Sequence, residues 1–290
     1  MSSNHSCQTW SLVADIGATN ARFARKVSGS NQLLDITTVI VAGHENFTYA
    51  LSYILASMRE NNNWSAFPTA ACLGLAARVD HEEISFLNSH WHFTRTALNE
   101  ILQAESIDLI NDFAAKGFGV LELSATDWVQ VGGKQAQQNK PIAIIGPGAG
   151  LGVSMAIPGG NNLTVVDGEG GHVDFAPLDG LEHQIQEILS TQFDRVSAER
   201  LLCGAGLINI YKALAKIRDK PAPLATAESI SLQGQQGSDP LSEETLRLFC
   251  RILGSVAGNL ALTAGTLGGV YITGGIVPGM LDFFCQKCVS

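Results

Sequence analysis

Two stretches decide the fold: WSLVADIGATNARFARKV at residues 10–27 and PIAIIGPGAGLGVSMAI at residues 141–157. In the first, Trp10 to Ile16 is apolar and predicts a strand. Ala21 to Val27 predicts a second strand, so Gly17 to Asn20 forms a tight turn between them. In the second, Pro141 to Ile145 reads as a strand, Gly146 to Gly152 as a glycine turn and Val153 to Ile157 as the returning strand. The same layout of strand, glycine turn and strand therefore occurs twice in one chain. It predicts a duplicated α/β fold of two lobes with a ligand cleft between them. A small N-terminal lobe is expected over residues 1–111 and a large lobe over residues 112–290.

Further elements follow from periodicity and caps. A strand is expected from Ile36 to Val41. A helix is expected from Asn46 to Glu60, where Phe47, Leu51, Ile54, Leu55 and Met58 recur at helical spacing. Ala70 to Ala76 reads as a buried strand, and Thr94 to Ala104 as a helix capped by Thr94. Ile107 to Ile110 is a short strand that runs into Asn111-Asp112-Phe113, and ligands sit just past the carboxyl ends of strands in open α/β sheets. In the second half, helices are expected at Leu181–Leu189, Ser197–Cys203, Gly206–Lys216 and Ser242–Thr266. Lys220 to Pro240, with its prolines and its Gln/Gly-rich centre, reads as a surface excursion without chemistry. Ile252 to Leu281 carries no charge and is long enough to span a bilayer. Its glycines, Asn259 and threonines argue instead for a buried helix, broken at Gly268-Gly269, and a buried strand from Val270 to Thr273.

Composition removes several functional classes. The 290 residues are 46% hydrophobic and 16% charged, a globular balance long enough for two cores. A net charge of −9 disfavours a nucleic-acid surface, which needs clustered Lys and Arg. Met1 to Trp10 is polar and has no secretory core, so the chain reads as cytoplasmic, with no membrane partner. The cysteines are scattered and do not read as a disulfide framework. Cys285 and Cys288 form a lone C-x-x-C pair, too few ligands for a structural zinc site.

The candidate chemistry gathers at four places. Glycine turns let backbone N–H groups face an anion without a Cβ in the way, so both turns are candidate phosphate loops or plain structural hairpins. Neither is a Walker A loop, because no Gly-Lys-Ser/Thr follows. Asp15, ending a buried strand beside the first turn, suits a magnesium ion held through water, or it caps the turn. Asn111-Asp112 is either a turn or a sugar ligand beside a general base. Glu169-Gly170-Gly171-His172 offers a carboxylate and an imidazole that suit vicinal hydroxyls. Asp174 follows, but one His with two acids is a poor transition-metal set.

Six segments together resemble the bacterial glucokinases, in that family's order and spacing over nearly the whole chain. They are Asp15 to Phe23, Ile110 to Phe113, Gly146 to Val153, Glu169 to Pro177, Ser197 to Arg200 and Gly274 to Pro278. The resemblance implies the actin-like, ribonuclease-H-like two-lobed fold. It also implies transfer of the ATP γ-phosphoryl group to the 6-hydroxyl of glucose with Mg2+, the first step of glycolysis. It makes Asp112 the catalytic base and Asn111, Asp112, Glu169, His172 and Glu199 the glucose ligands. Asp15, Gly17, Ala18, Thr19, Asn20, Gly146, Gly148 and Gly150 then line the phosphate loops, with Gly274-Gly275 on the adenosine side and Asp15 serving the metal. Glu199 enters only through the resemblance, since Ser197-Ala198-Glu199 also reads as an ordinary helix start. A homodimer is implied too. A kinase for another hexose and a catalytically impaired sugar-binding protein stand as alternatives, and a polyphosphate donor would use similar loops.

Three departures from the family pattern carry expectations of their own. Ala18 replaces a common second glycine, and its methyl is expected to crowd a phosphate or restrict φ. The sugar-side loop reads Asn88-Ser89-His90-Trp91 in place of Asn-His-x-Trp. The family continues past its Gly-Gly-Ile-Val-Pro region into an element returning to the N-terminal lobe, whereas here the chain closes with Met280 to Ser290. A less stable or weakly active protein is the corresponding expectation.

Overall fold

The computed structural model describes residues 9–30, 32–61, 67–86, 89–160 and 162–287. Cys7, Asn88 and Cys288, and all but the end of the polar N-terminus, lie outside the described residues. The chain divides into two compact units, Met1–Ala115 and Lys116–Ser290.

The first unit is built on a five-stranded sheet. Its strands are β1 (Trp10–Ile16), β2 (Asn20–Val27), β3 (Leu33–Ile40), β4 (Ala70–Leu75) and β7 (Ser106–Asn111), in the order β3-β2-β1-β4-β7. β1 and β2 form the expected antiparallel hairpin, while β1-β4 and β4-β7 are parallel. Ile16, Leu75 and Asn111 stand in register, so the carboxyl ends of the three parallel strands open onto one edge. The core gathers under α1 (Phe47–Asn61), where the Phe47 ring stacks on Phe93 at 4.4 Å and meets Trp91 edge-on at 5.6 Å. A small hairpin absent from the sequence reading, β5 (Glu83–Ser85) and β6 (His92–Thr94), carries these aromatics into place. α2 (Arg95–Leu102) starts as expected, with Thr94 accepting the Ala97 N–H.

The second unit repeats the plan. Its strands β8 (Ile142–Pro147), β9 (Leu151–Gly159), β10 (Asn162–Gly168) and β11 (Val270–Ile272) run in the order β10-β9-β8-β11, again an antiparallel hairpin with a parallel strand beside its first member. The duplicated layout is thus a duplicated topology. β8 is buried along its length. Behind the sheet lie α4 (Gly180–Ser190), α5 (Gly204–Ile217), α6 (Ala227–Gln236) and α7 (Pro240–Ala264), and α8 (Leu281–Lys287) closes the described chain.

Several local expectations are corrected. Asn111-Asp112 is not a loop but the entry to α3 (Asp112–Gly119). Ser197–Cys203 is not a helix: a single 3-10 turn spans Ala198–Arg200, and α5 starts only at Gly204. The reason is a close reversal, since a Cβ on Gly206 would lie 2.3 Å from the Leu201 carbonyl carbon. The Lys220–Pro240 excursion contains α6, capped by Thr226 and ended by Gly237 at φ +67°. Gly234 lets α6 sit against α7, because a Cβ there would meet the Ser242 carbonyl at 2.8 Å. α7 is the one helix among the described residues long and apolar enough to cross a membrane, and Leu246, Phe249, Ile252 and Leu253 on it are buried in the core of the second unit.

One buried charge ties this unit together. The Glu182 side chain is 1% exposed; it accepts from the Leu178 N–H at 2.7 Å and from Arg251 Nε at 2.9 Å. Arg251 also reaches Asp179, the cap of α4, at 2.8 Å. Removing the cation strands a buried carboxylate, although the half-exposed arginine moderates the loss relative to a fully buried pair. Arg251→Met is expected to cost about 2 kcal/mol and lower the thermal midpoint. Arg247→Met, which breaks the exposed pair to Glu243 and a long bond to the Lys287 carbonyl, is expected to shift the midpoint by less than half as much.

Candidate functional site

In the first unit the chemistry lies at the sheet's carboxyl edge. Gly17 donates its N–H to the Asn20 carbonyl at 3.0 Å and closes the turn, while Val41 N–H holds the Thr19 carbonyl at 2.9 Å. The amides of Ala18 and Thr19 take no part in these bonds. Ala18 does not adopt a left-handed backbone, so its methyl imposes no φ strain. Asp15 is exposed and pairs across the hairpin with Arg22, whose Nη1 lies 3.1 Å from Oδ2.

Two strands away, roughly 10 Å at the usual ~4.8 Å strand spacing, β7 delivers Asn111 and Asp112. The Asn111 side-chain oxygen accepts the Phe113 N–H at 2.8 Å and caps α3, which leaves its amide nitrogen as a donor. Asp112 is the first residue of α3, where an acidic side chain suits the helix dipole. The start of α3 lies over Gly74, where a Cβ would meet Ala115 Cβ at 3.1 Å. Gly74 therefore sets the height of Asp112 above the sheet, a role with no signal in the sequence. Of the sugar-side loop, Trp91 is a buried core residue whose Nε1 donates to the His44 carbonyl at 3.1 Å, and its backbone N–H engages Ser89 Oγ at 3.2 Å.

In the second unit four short pieces converge on the turn that follows β8. Gly148 donates its N–H to the Gly150 carbonyl at 2.8 Å, and its own carbonyl accepts from Gly204, the first residue of α5, at 3.0 Å. Leu151 N–H is taken by Glu199 Oε2 at 2.8 Å. The amides of Ala149 and Gly150 have no backbone partner among the described residues, and neither do those of Ala18 and Thr19 in the other unit. Gly274 has φ +87°, and a Cβ there would lie 2.3 Å from the Pro147 carbonyl oxygen, so the Gly274-Gly275 loop sits directly against the turn. Gly275 itself faces open space.

Glu169 and His172 flank the 3-10 turn Gly170–His172. His172 Nε2 lies 3.7 Å from Glu169 Oε2, and Nδ1 lies 3.8 Å from Glu199 Oε1. Both gaps exceed a hydrogen bond, so imidazole and carboxylates keep bonding capacity for a polar ligand placed among them. Gly171 fixes this arrangement: a Cβ there would fall 1.9 Å from the Leu151 carbonyl oxygen. The 3-10 turn bearing Glu199 is pinned beside it, with Ala198 N–H bonded to the Val173 carbonyl at 2.9 Å. Sequence reasoning alone did not reach Glu199, and nothing local signals it; its meaning comes from Leu151, which lies 48 residues away.

The glucokinase family model matches residues 12–288. The chain is 41% identical to a glucokinase of Marinobacter nauticus, covering 95% of this chain and 84% of that protein. It is 40% identical to a glucokinase of Colwellia psychrerythraea, covering 98% and 86%. A crystal structure of glucokinase from an Antarctic psychrotroph superposes with a TM-score of 0.83 at 31% identity, covering 96% of this chain and 86% of that one.

Gly171→Ala is expected to lower the thermal midpoint, at a cost of about 2 kcal/mol for forcing the turn off Leu151. Gly148→Ala, where the added methyl meets nothing within 4 Å, is expected to leave the midpoint unchanged. Differential scanning calorimetry of the two variants checks the contrast.

Proposed function

The chain belongs to the glucokinase family, and from that footing we propose how its residues bring about phosphoryl transfer from ATP to glucose. The enzyme is an ATP-dependent hexose kinase and its product is glucose 6-phosphate. Asp112 accepts the proton of the sugar 6-hydroxyl as that oxygen attacks the γ-phosphorus. The new P–O bond forms as the bond to the β–γ bridging oxygen breaks, and ADP leaves. The observation that carries this assignment is the placing of Asn111-Asp112 at the carboxyl end of a parallel strand, with the Asn111 oxygen committed to the helix cap and its amide nitrogen left for a hydroxyl.

Asn111, Glu169, His172 and Glu199 hold the sugar. The amides of Ala18, Thr19, Ala149 and Gly150 bind phosphate oxygens and stabilise charge that spreads over them in the transition state. Gly274-Gly275 borders the adenosine. Magnesium takes six oxygens and keeps most of its waters. Among the described residues no three His, Cys, Asp or Glu side chains group to hold an ion. Asp15, exposed at the end of β1, fits a single water-mediated contact to a magnesium that arrives with the triphosphate. That ion would neutralise phosphate charge, and Arg22 would hold the Asp15 carboxylate in place. The reaction belongs in the cytoplasm, where ATP and glucose are both present.

Asp112→Asn is expected to lower kcat by about 10²–10⁴-fold, with the glucose KM within a few-fold of wild type. A coupled ADP-release assay across glucose, mannose and glucosamine measures this and the hexose preference together. Near wild-type turnover in the variant would remove Asp112 as the base, and faster release with another hexose would reassign the substrate.

A further inference from the structure

We propose that Glu199 is a positioning residue for the phosphate turn as well as a sugar ligand, so that one carboxylate couples the two substrates. The inference rests on the reading of Glu199 and of the Gly146–Gly152 turn given above, and it adds a role that neither assignment contains.

The geometry separates the two oxygens of the carboxylate. Oε2 accepts the Leu151 N–H at 2.8 Å. It also occupies the space beside Gly150, where a Cβ would lie 2.5 Å from Oε2 and 3.4 Å from the carboxylate carbon. The missing side chain at residue 150 is therefore a seat for Glu199 before it is a gap for phosphate. Oε1 points the other way, 3.8 Å from His172 Nδ1, too far for a direct bond and open to a sugar hydroxyl. The side chain is only 27% exposed. Its backbone is fixed by Ala198 N–H on the Val173 carbonyl and by Leu201 and Leu202 N–H on the Ala198 carbonyl, at 3.1 and 2.9 Å. A residue serving the sugar alone has no need to touch the turn, and a purely structural one would use both oxygens.

A carboxylate is planar, so a hydroxyl bonded to Oε1 also sets the direction of Oε2. Oε2 holds Leu151 N–H, and the amides of Ala149 and Gly150 precede it directly in the turn. Sugar bound at one oxygen thus orients the amides that face the phosphates. The coupling is reciprocal: glucose and nucleotide raise each other's affinity by the same factor.

Calorimetric titration of the full chain with a non-hydrolysable ATP analogue and Mg2+, without glucose, tests the positioning role. Glu199→Gln keeps an amide oxygen to accept Leu151 N–H, so analogue affinity is expected to stay within about twofold. Glu199→Ala removes a hydrogen bond to a charged group and is expected to weaken the analogue about tenfold. Equal analogue affinity in the two variants would overturn the positioning role, whether both match wild type or both lose. Glucose titrations are read separately: unchanged glucose affinity in both variants would remove Glu199 from the sugar site without touching the analogue result. Gly150→Ala approaches from the other side and covers the case in which Glu199→Ala does not fold. Its methyl displaces the carboxylate, so glucose binding is expected to weaken about fivefold although the substitution lies in the phosphate turn. Wild-type glucose affinity in Gly150→Ala would sink the coupling.

Discussion

The backbone of Leu151 is gripped from both sides. Its N–H is held by Glu199, and its carbonyl lies so close to Gly171 that no side chain fits between them. The turns that carry His172 and Glu199 are both placed by this contact. The 3-10 turn carrying His172 approaches only because Gly171 lacks a Cβ, and Glu199 reaches only because Gly150 lacks one. A glycine-rich turn is usually explained by backbone freedom. Here neither glycine has a left-handed φ, and both are required by proximity, as seats for a carbonyl and a carboxylate.

The two units share a four-stranded plan, to which the first adds β7, and carry different equipment. In each, a hairpin opens the sheet and a turn between its strands closes on itself through one amide, Gly17 onto Asn20 and Gly148 onto Gly150. In each, two consecutive amides are left over. The first unit surrounds its pair with an exposed Asp15–Arg22 ion pair, worth little in stability at such exposure and so easily rearranged by a charged ligand. The second surrounds its pair with buried or half-buried partners from four other segments, at Gly171, Glu199, Gly204 and Gly274. A turn braced in this way loses less entropy when a ligand orders it.

The main sheets, the two glycine-turn hairpins and the Thr94 cap were legible because their signals are local: apolar runs, a turn of fixed length, a capping hydroxyl. The repeat was legible because it is a repeat of such signals. What stayed hidden depends on distant chain. Ser197-Ala198-Glu199 looks like a helix start, and only the reversal imposed at Gly206 by Leu201 cuts it to one turn. Asn111-Asp112 looks like a loop, and only the space over Gly74 lets a helix begin there. α6 was masked by prolines at its approach, and it buries little of its own surface, Ile230 in the core and Gly234 against α7. Candidate site residues were reached by family resemblance where local sequence left them ambiguous. The contact that joins Glu199 to the phosphate turn appears in neither.

That contact also bears on how an acidic chain binds a polyanion. With 18 basic residues against 27 acidic ones and no lysine following either glycine turn, the phosphates have to be met mainly by backbone N–H groups, which carry partial charge at fixed positions. One amide serves one strong acceptor, and Leu151 and Gly148 are already engaged within the protein. In the proposed reading, Glu199 orders the turn's remaining donors through its bond to the Leu151 N–H.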